Sequence, residues 1–113
     1  METTFRFRRQ SCRPLWDISV RLVAARTDGF RVKIDPVVQG ALSPEMQRAA
    51  ALGVGSAFVS LDSVEPIEVT VREVIDHSGS TSEMAVAICA EAAMFQLLGF
   101  PELAPFPGVF GET

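Results

Sequence analysis

His77 is the only histidine of the chain, and it stands in "IDHSGSTSEMA" with Asp76, Ser78, Ser80 and Ser82 around it. A hydroxyl, an imidazole and a carboxylate are the groups a nucleophilic hydrolase uses. Their spacing here argues for something else. Adjacent side chains of an extended segment point apart, so Asp76 and His77 diverge. Serines clustered ahead of an apolar run are the residues of turns and helix caps. Cys12 and Cys89 are far from each other and from His77 in sequence, so no metal-ligand spacing exists. The chain contains no G-x-x-x-x-G-K-[ST] phosphate loop. Tyrosine is absent and the phenylalanines fall mostly on inward positions, which leaves no platform for stacking bases. These residues point away from an enzyme and imply no metal or cofactor.

The elements that position His77 are readable from periodicity. Ser80 and Glu83 have the spacing of a capping box, in which Glu83 reaches back to the Ser80 amide. Met84, Ile88, Ala92 and Phe95 follow at helical spacing, with Cys89 and Leu98 beside them, and Gly99 and Pro101 stop the run. "IEVTVREVI" ahead of His77 alternates as a strand, with Ile67, Val69 and Val71 on one side. His77 therefore occupies a short polar loop between a strand and a helix.

Further upstream, "TFRFRR" and "LWDISVRLVAAR" alternate, with Phe5, Phe7, Trp16, Ile18, Val20, Leu22 and Ala24 inward. Asp28-Gly29 favours a tight hairpin. "FRVKIDP" alternates again, so the three segments read as a β-meander whose outer face is mainly basic: Arg6, Arg8, Arg21, Arg31 and Lys33. Ser43-Pro44 opens another helix, with Met46, Ala49, Ala50, Gly53, Val54, Ala57 and Phe58 as its apolar stripe. Gly53 and Gly55 cost helix propensity, which close packing would offset. The order is βββαβα, an α+β two-layer sandwich with two helices over one apolar sheet face. Residues 1 to 100 form the domain, and 101 to 113 read as an extended tail rich in proline and phenylalanine.

The 113 residues are 48% hydrophobic and 21% charged, which suits one globular domain. No apolar run reaches membrane-spanning length, and the charged start lacks a signal-peptide core. Separated cysteines argue against a disulfide framework and make a reducing cytoplasm the default. The net charge of −4 hides an asymmetry. Residues 1 to 33 balance at +5 and the remainder at −9. A basic first third suits either a phosphate-facing surface or a solvated sheet face.

With that order in place, "VTVREVIDHSGSTSEMA" resembles the same region of domain IV of bacterial translation elongation factor G and of the ribosomal protection proteins. The family has a strand, a histidine-bearing loop and a helix opening Ser-Glu-Met-Ala; here these are Val69 to Val71, His77 and Ser82 to Ala85. "GFRVKIDPVVQGALSPEMQRAAALG" is similar to the family's strand, bend and first helix, including Gly29-Phe30, Gly40 and Gly53. "FRFRRQS" is similar to the segment before its first tip loop. The resemblance covers about residues 5 to 100. It implies a ribosomal protein S5 domain 2-like fold with a left-handed βαβ crossover, against the usual hand. It also implies a tip of two loops, Gln10 to Pro14 and Ile75 to Ser80. Gln10, Ser11, Arg13, Asp76, His77 and Ser78 would there meet the ribosome or structured RNA by hydrogen bonding and shape, without bond chemistry. Two features depart from the family. Gln10-Ser11-Cys12-Arg13-Pro14 stands where the family is glycine-rich, which removes backbone conformations used in close approach. The GTPase and other domains are not in this sequence. A protein-interaction or self-associating module, built on the same fold and using the tail and the open sheet face, is the alternative expectation.

Overall fold

A computed structural model describes residues 1–9, 16–61, 65–77, 79 and 82–103. Strands β1 (Glu2–Arg9), β2 (Trp16–Arg26) and β3 (Arg31–Ile34) come first. Helices α1 (Pro36–Ala41) and α2 (Pro44–Val59) follow, then β4 (Ile67–Asp76), α3 (Glu83–Leu97) and a 3-10 turn at Pro101–Leu103. The four strands form one mixed sheet, and the helices make the second layer of a two-layer α/β sandwich. The inward register is the one alternation dictates. Phe5, Phe7, Trp16, Ile18, Val20, Leu22, Ala24, Ile67, Val69 and Val71 are all buried.

The meander is not formed. The sheet order is β1-β2-β4-β3: β2 pairs antiparallel with β1 and with β4, and β3 pairs with β4 in parallel. Ladder length decides this. The ten-residue β4 runs along most of the eleven-residue β2, whereas β3 has only four residues to offer. The Thr27-Asp28-Gly29 corner accordingly does not close a hairpin. The Thr27 amide donates to Pro66 O just ahead of β4, at 3.3 Å. Among the described glycines the positive φ angles belong to Gly79 and Gly99, not to Gly29. Between Arg21↔Glu73 and Leu22↔Val71 the β2–β4 register slips, and Arg72 is the extra residue of the bulge.

Two helices stand where one was expected. Asp35 accepts from the Val37 amide at 3.0 Å with Pro36 at the first helical position, and this starts α1. Ser43 and Pro44 repeat the device for α2, Ser43 Oγ accepting from the Met46 amide at 3.2 Å. α2 packs on α3 through Gly53, where a Cβ would lie 2.3 Å from Ala87 O and 3.0 Å from Ala90 Cβ. Gly55 has no such neighbour, so the close-packing expectation holds for Gly53 alone. Stacked rings of Phe30 and Phe58, 4.0 Å between centroids, tie the β3 end to α2.

The cap of α3 also differs from expectation. Ser82, not Ser80, is the N-cap, and its hydroxyl accepts from the Ala85 amide at 3.2 Å. Glu83 is then the first helical residue and cannot close a box with Ser80, which lies outside the described residues. The turn before it sets this start. Asp76 Oδ1 accepts from the Gly79 amide at 3.0 Å and Gly79 takes φ 75°, so chain is spent on the turn before the helix can begin. Met84 faces outward, while Ala85, Val86, Cys89, Ala92, Ala93 and Phe95 are buried. Ser82→Ala should cost about 0.5–2 kcal/mol. Glu83→Ala should cost only the dipole contribution, about 0.3–1 kcal/mol. Urea midpoints of the two variants check this, and a larger loss for Glu83→Ala would contradict the assigned start.

The Pro101–Leu103 turn occupies the start of the segment read as extended, and residues 104–113 lie outside the described residues. No helix among the described residues is long and apolar enough to cross a membrane.

Candidate nucleic-acid interface

β4 delivers His77 to the end of the sheet where β1 finishes and β2 begins. The His77 amide donates to Asp17 O at 2.7 Å, extending the β2–β4 ladder by one bond. The imidazole, exposed to solvent, places Nε2 3.0 Å from Ser19 Oγ. Ser19 is on the outward side of β2, opposite Arg6 on one flank and Ile75 on the other. It is the one polar residue in the buried set among the described residues, at 8% exposure. Two bonds, one from backbone and one to the ring, thus fix His77 against the open sheet face.

Asp17 organises the same corner. Its carboxylate accepts from Arg6 Nε and Nη2, both at 2.7 Å, a planar fork of the strongest kind. Arg8 Nε is 3.8 Å from the second oxygen. The Arg6 hydrogen bonds hold the Asp17 pKa below the ordinary carboxylate value, with smaller contributions from the Arg6 charge, His77 and Arg8 opposing the effect of partial burial. Beneath the corner, Phe7 and Trp16 pack edge to face at 5.7 Å and give it a rigid floor.

The rest of the outward face carries Arg21, Arg31 and Lys33 on its solvent side, and each has an acidic partner. Arg21 donates to both carboxylate oxygens of Glu2 at 3.0 Å. Lys33 and Arg31 sit 3.3 and 3.8 Å from Glu68. Arg72 meets Asp35 at 3.2 Å. The face expected to be mainly basic is a mosaic of ion pairs, which weakens its long-range field.

Of the residues singled out from sequence, His77, Asp76, Arg6 and Arg8 fall at one end of the sheet. Arg21, Arg31 and Lys33 spread over its face. Gln10, Ser11, Arg13 and Ser78 lie outside the described residues. Arg9 and Trp16, which flank residues 10–15, pair at the His77 end. Ser19 and Asp17 were not singled out. A hairpin register counted outward from Arg9↔Trp16 sets Asp17 against Arg8 and Ser19 against Arg6, so one acid among basic neighbours was the signal.

A Ser–His contact is half of a nucleophile–base pair. His77 meets Ser19 at Nε2 and the Asp17 carbonyl at its amide, and neither contact is the orienting carboxylate that a triad sets on Nδ1. Cys89 is buried beneath β1 and β2, and burial pushes its thiol up to about 12, so it stays protonated at neutral pH. Among the described residues no cluster of three His, Cys, Asp or Glu side chains could hold a metal ion. What the corner can do is present an imidazole and two guanidinium groups, held by one carboxylate, to an anionic or hydrogen-bonding partner.

The fold and corner define a small α/β sandwich with a polar, preformed end. No protein-family model matches the sequence. No curated protein matches it significantly. Among solved structures, a Thermus thermophilus protein aligns over 84% of this chain at 18% identity and a TM-score of 0.67. That likeness shows the fold, and the chain spans 15% of that protein's length. A phosphomevalonate kinase of Streptococcus pneumoniae aligns over 87% of this chain and 35% of its own, at 13% identity and a TM-score of 0.42.

Proposed function

We propose that the chain is a non-enzymatic, translation-factor-like domain that binds the ribosome or structured RNA with the His77 end of its sheet. The observation that supports this best is His77 itself: an exposed imidazole held at the sheet end by Ser19 and by the Asp17 carbonyl. An aromatic ring fixed in this way meets a base edge or phosphate with little further loss of freedom. Arg6 and Arg8 stand in the same cluster, and Arg13 lies in sequence between β1 and β2. The order of strand β4, His77 and helix α3 is the order that the resemblance to elongation factor G domain IV implies, and this supports the reading.

The ion-paired face bears on the mode of binding. With Asp17, Glu2 and Glu68 paired to Arg6, Arg8, Arg21, Arg31 and Lys33, few cations are left to engage phosphates. The salt dependence should therefore be shallow for a nucleic-acid binder: about a tenfold loss of affinity between 50 and 200 mM salt, against the thousandfold or more of a broad basic surface. Co-sedimentation with ribosomes and filter binding to structured RNA test the reading. His77→Ala combined with Arg13→Ala should weaken binding by about tenfold or more, since each lost contact is worth roughly 1 kcal/mol. Arg72→Ala, at the bulge, should change it little. Equal binding by wild type and the double variant would overturn the assignment of the site.

A further inference from the structure

The outer face of α2 is apolar although nothing in the chain's described residues covers it. Arg48, Leu52, Gly55 and Val59 recur at intervals of four, three and four, on the side opposite the core residues Ala50, Gly53, Val54 and Ala57. Leu52 is 70% and Val59 75% exposed. Two large exposed apolar side chains side by side on one helix face make a patch that a partner can cover. Between Leu52 and Val59 lies a shallow groove of about 520 Å³, whose floor is opened by Gly55. A Cβ on Gly55 would meet no atom within 4 Å, so the fold itself has no need of glycine there. Its helix-propensity cost of about 1 kcal/mol is left without an intramolecular return.

We infer that α2 is a self-association surface, which pairs antiparallel with α2 of a second copy about a two-fold axis between Leu52 and Gly55. A two-fold interface must be self-complementary, and this face is. Antiparallel pairing in that register sets Leu52 of each copy into the Gly55 notch of the other. Ala51 then faces Ser56 of the second copy, and Arg48 faces Val59. The last pairing meets an electrostatic need. α2 has Glu45 in its first turn but no basic residue in its last, so no side chain of the helix itself complements the dipole at its C-terminal end. Arg48 is 70% exposed and only 3.9 Å from Glu45, a loose pair from which it can turn to the other copy's helix end. The sheet face and the His77 corner lie on the opposite layer and stay open in the dimer.

A 16-residue helix is about 24 Å long, and a single helix pair of that length is a small interface. The dimer is therefore weak, and its population follows concentration. Sedimentation equilibrium of the full chain, over about a hundredfold range reaching the upper micromolar, should show monomer and dimer exchanging. Leu52→Glu removes the knob and Gly55→Lys fills the notch, and both positions face solvent, so each chain should fold and be monomeric at concentrations where wild type dimerises. Mixing the two variants should restore association. The introduced carboxylate of one chain then meets the introduced ammonium of the other, while the second notch keeps its native pair. A wild type that stays monomeric throughout overturns the inference. So does a dimer that survives both substitutions, or a mixture that fails to re-associate when circular dichroism shows both chains folded.

Discussion

Gly53→Ala should destabilise the domain by about 3 kcal/mol, the upper part of the range for overpacking, and lower its thermal midpoint by roughly 10 °C or more. The obstacle to the new methyl is backbone. Its carbon would lie 2.3 Å from Ala87 O and 3.0 Å from Glu91 N, and no rotamer change can move those atoms. α2 and α3 would have to separate, and each lies on the sheet through its own buried side chains. Gly55→Ala, two residues along the same helix, has nothing within 4 Å and should gain up to about 1 kcal/mol from helix propensity. Thermal or urea unfolding of the two variants side by side gives the comparison. Similar midpoints would mean that the α2–α3 contact is misplaced.

Asp17→Asn should cost about 1–2 kcal/mol at neutral pH, from the loss of a charged fork to Arg6 and the crowding of Arg6 and Arg8 without an anion between them. The pH dependence has a definite sign. Arg6 lowers the folded-state pKa of Asp17, so folding favours the ionised carboxylate. That stabilisation is complete above the unfolded-state value of about 3.9 and fades as pH falls through the folded value. The gap between wild type and variant should be widest near neutrality and close in strong acid. A gap that stays constant from neutral to strongly acidic solution would show that the Arg6–Asp17 bond contributes nothing to folding.

Local signals in the sequence located the strands and most of the helices, and alternation put Phe5, Phe7, Ile18, Val20 and Leu22 on the correct side. Pairing was less legible. Asp28-Gly29 is a hairpin signal of four residues' reach, and it carries no information about the longer ladder that β4 offers β2 from forty residues downstream. α1 was legible and passed over, since Asp35-Pro36 is the same cap-and-proline device as Ser43-Pro44. In the serine cluster, spacing to Glu83 favoured Ser80. What displaced the start to Ser82 was the turn held by Asp76 and Gly79, a feature of geometry that residue types alone do not order. The site was half visible. His77 was evident as a lone imidazole in a polar loop, but its bond to Ser19 joins residues 58 positions apart.

The sheet order has a consequence for how the chain reaches its fold. The β1–β2 hairpin contains its own partners and can zip as soon as its residues exist. β3 cannot: its sheet neighbour is β4, made more than thirty residues later, and β4 must slot between β2 and β3. The strand that completes the sheet is thus an interior one, a keystone that closes two ladders together. Everything from Arg31 to Leu61 waits on a loop closure whose entropic cost comes before any pairing offsets it. A half-made chain therefore has no half-domain to rest in. The topology favours late, cooperative closure: the sheet completes only when residues 67–76 arrive, and the core only when α3 follows them.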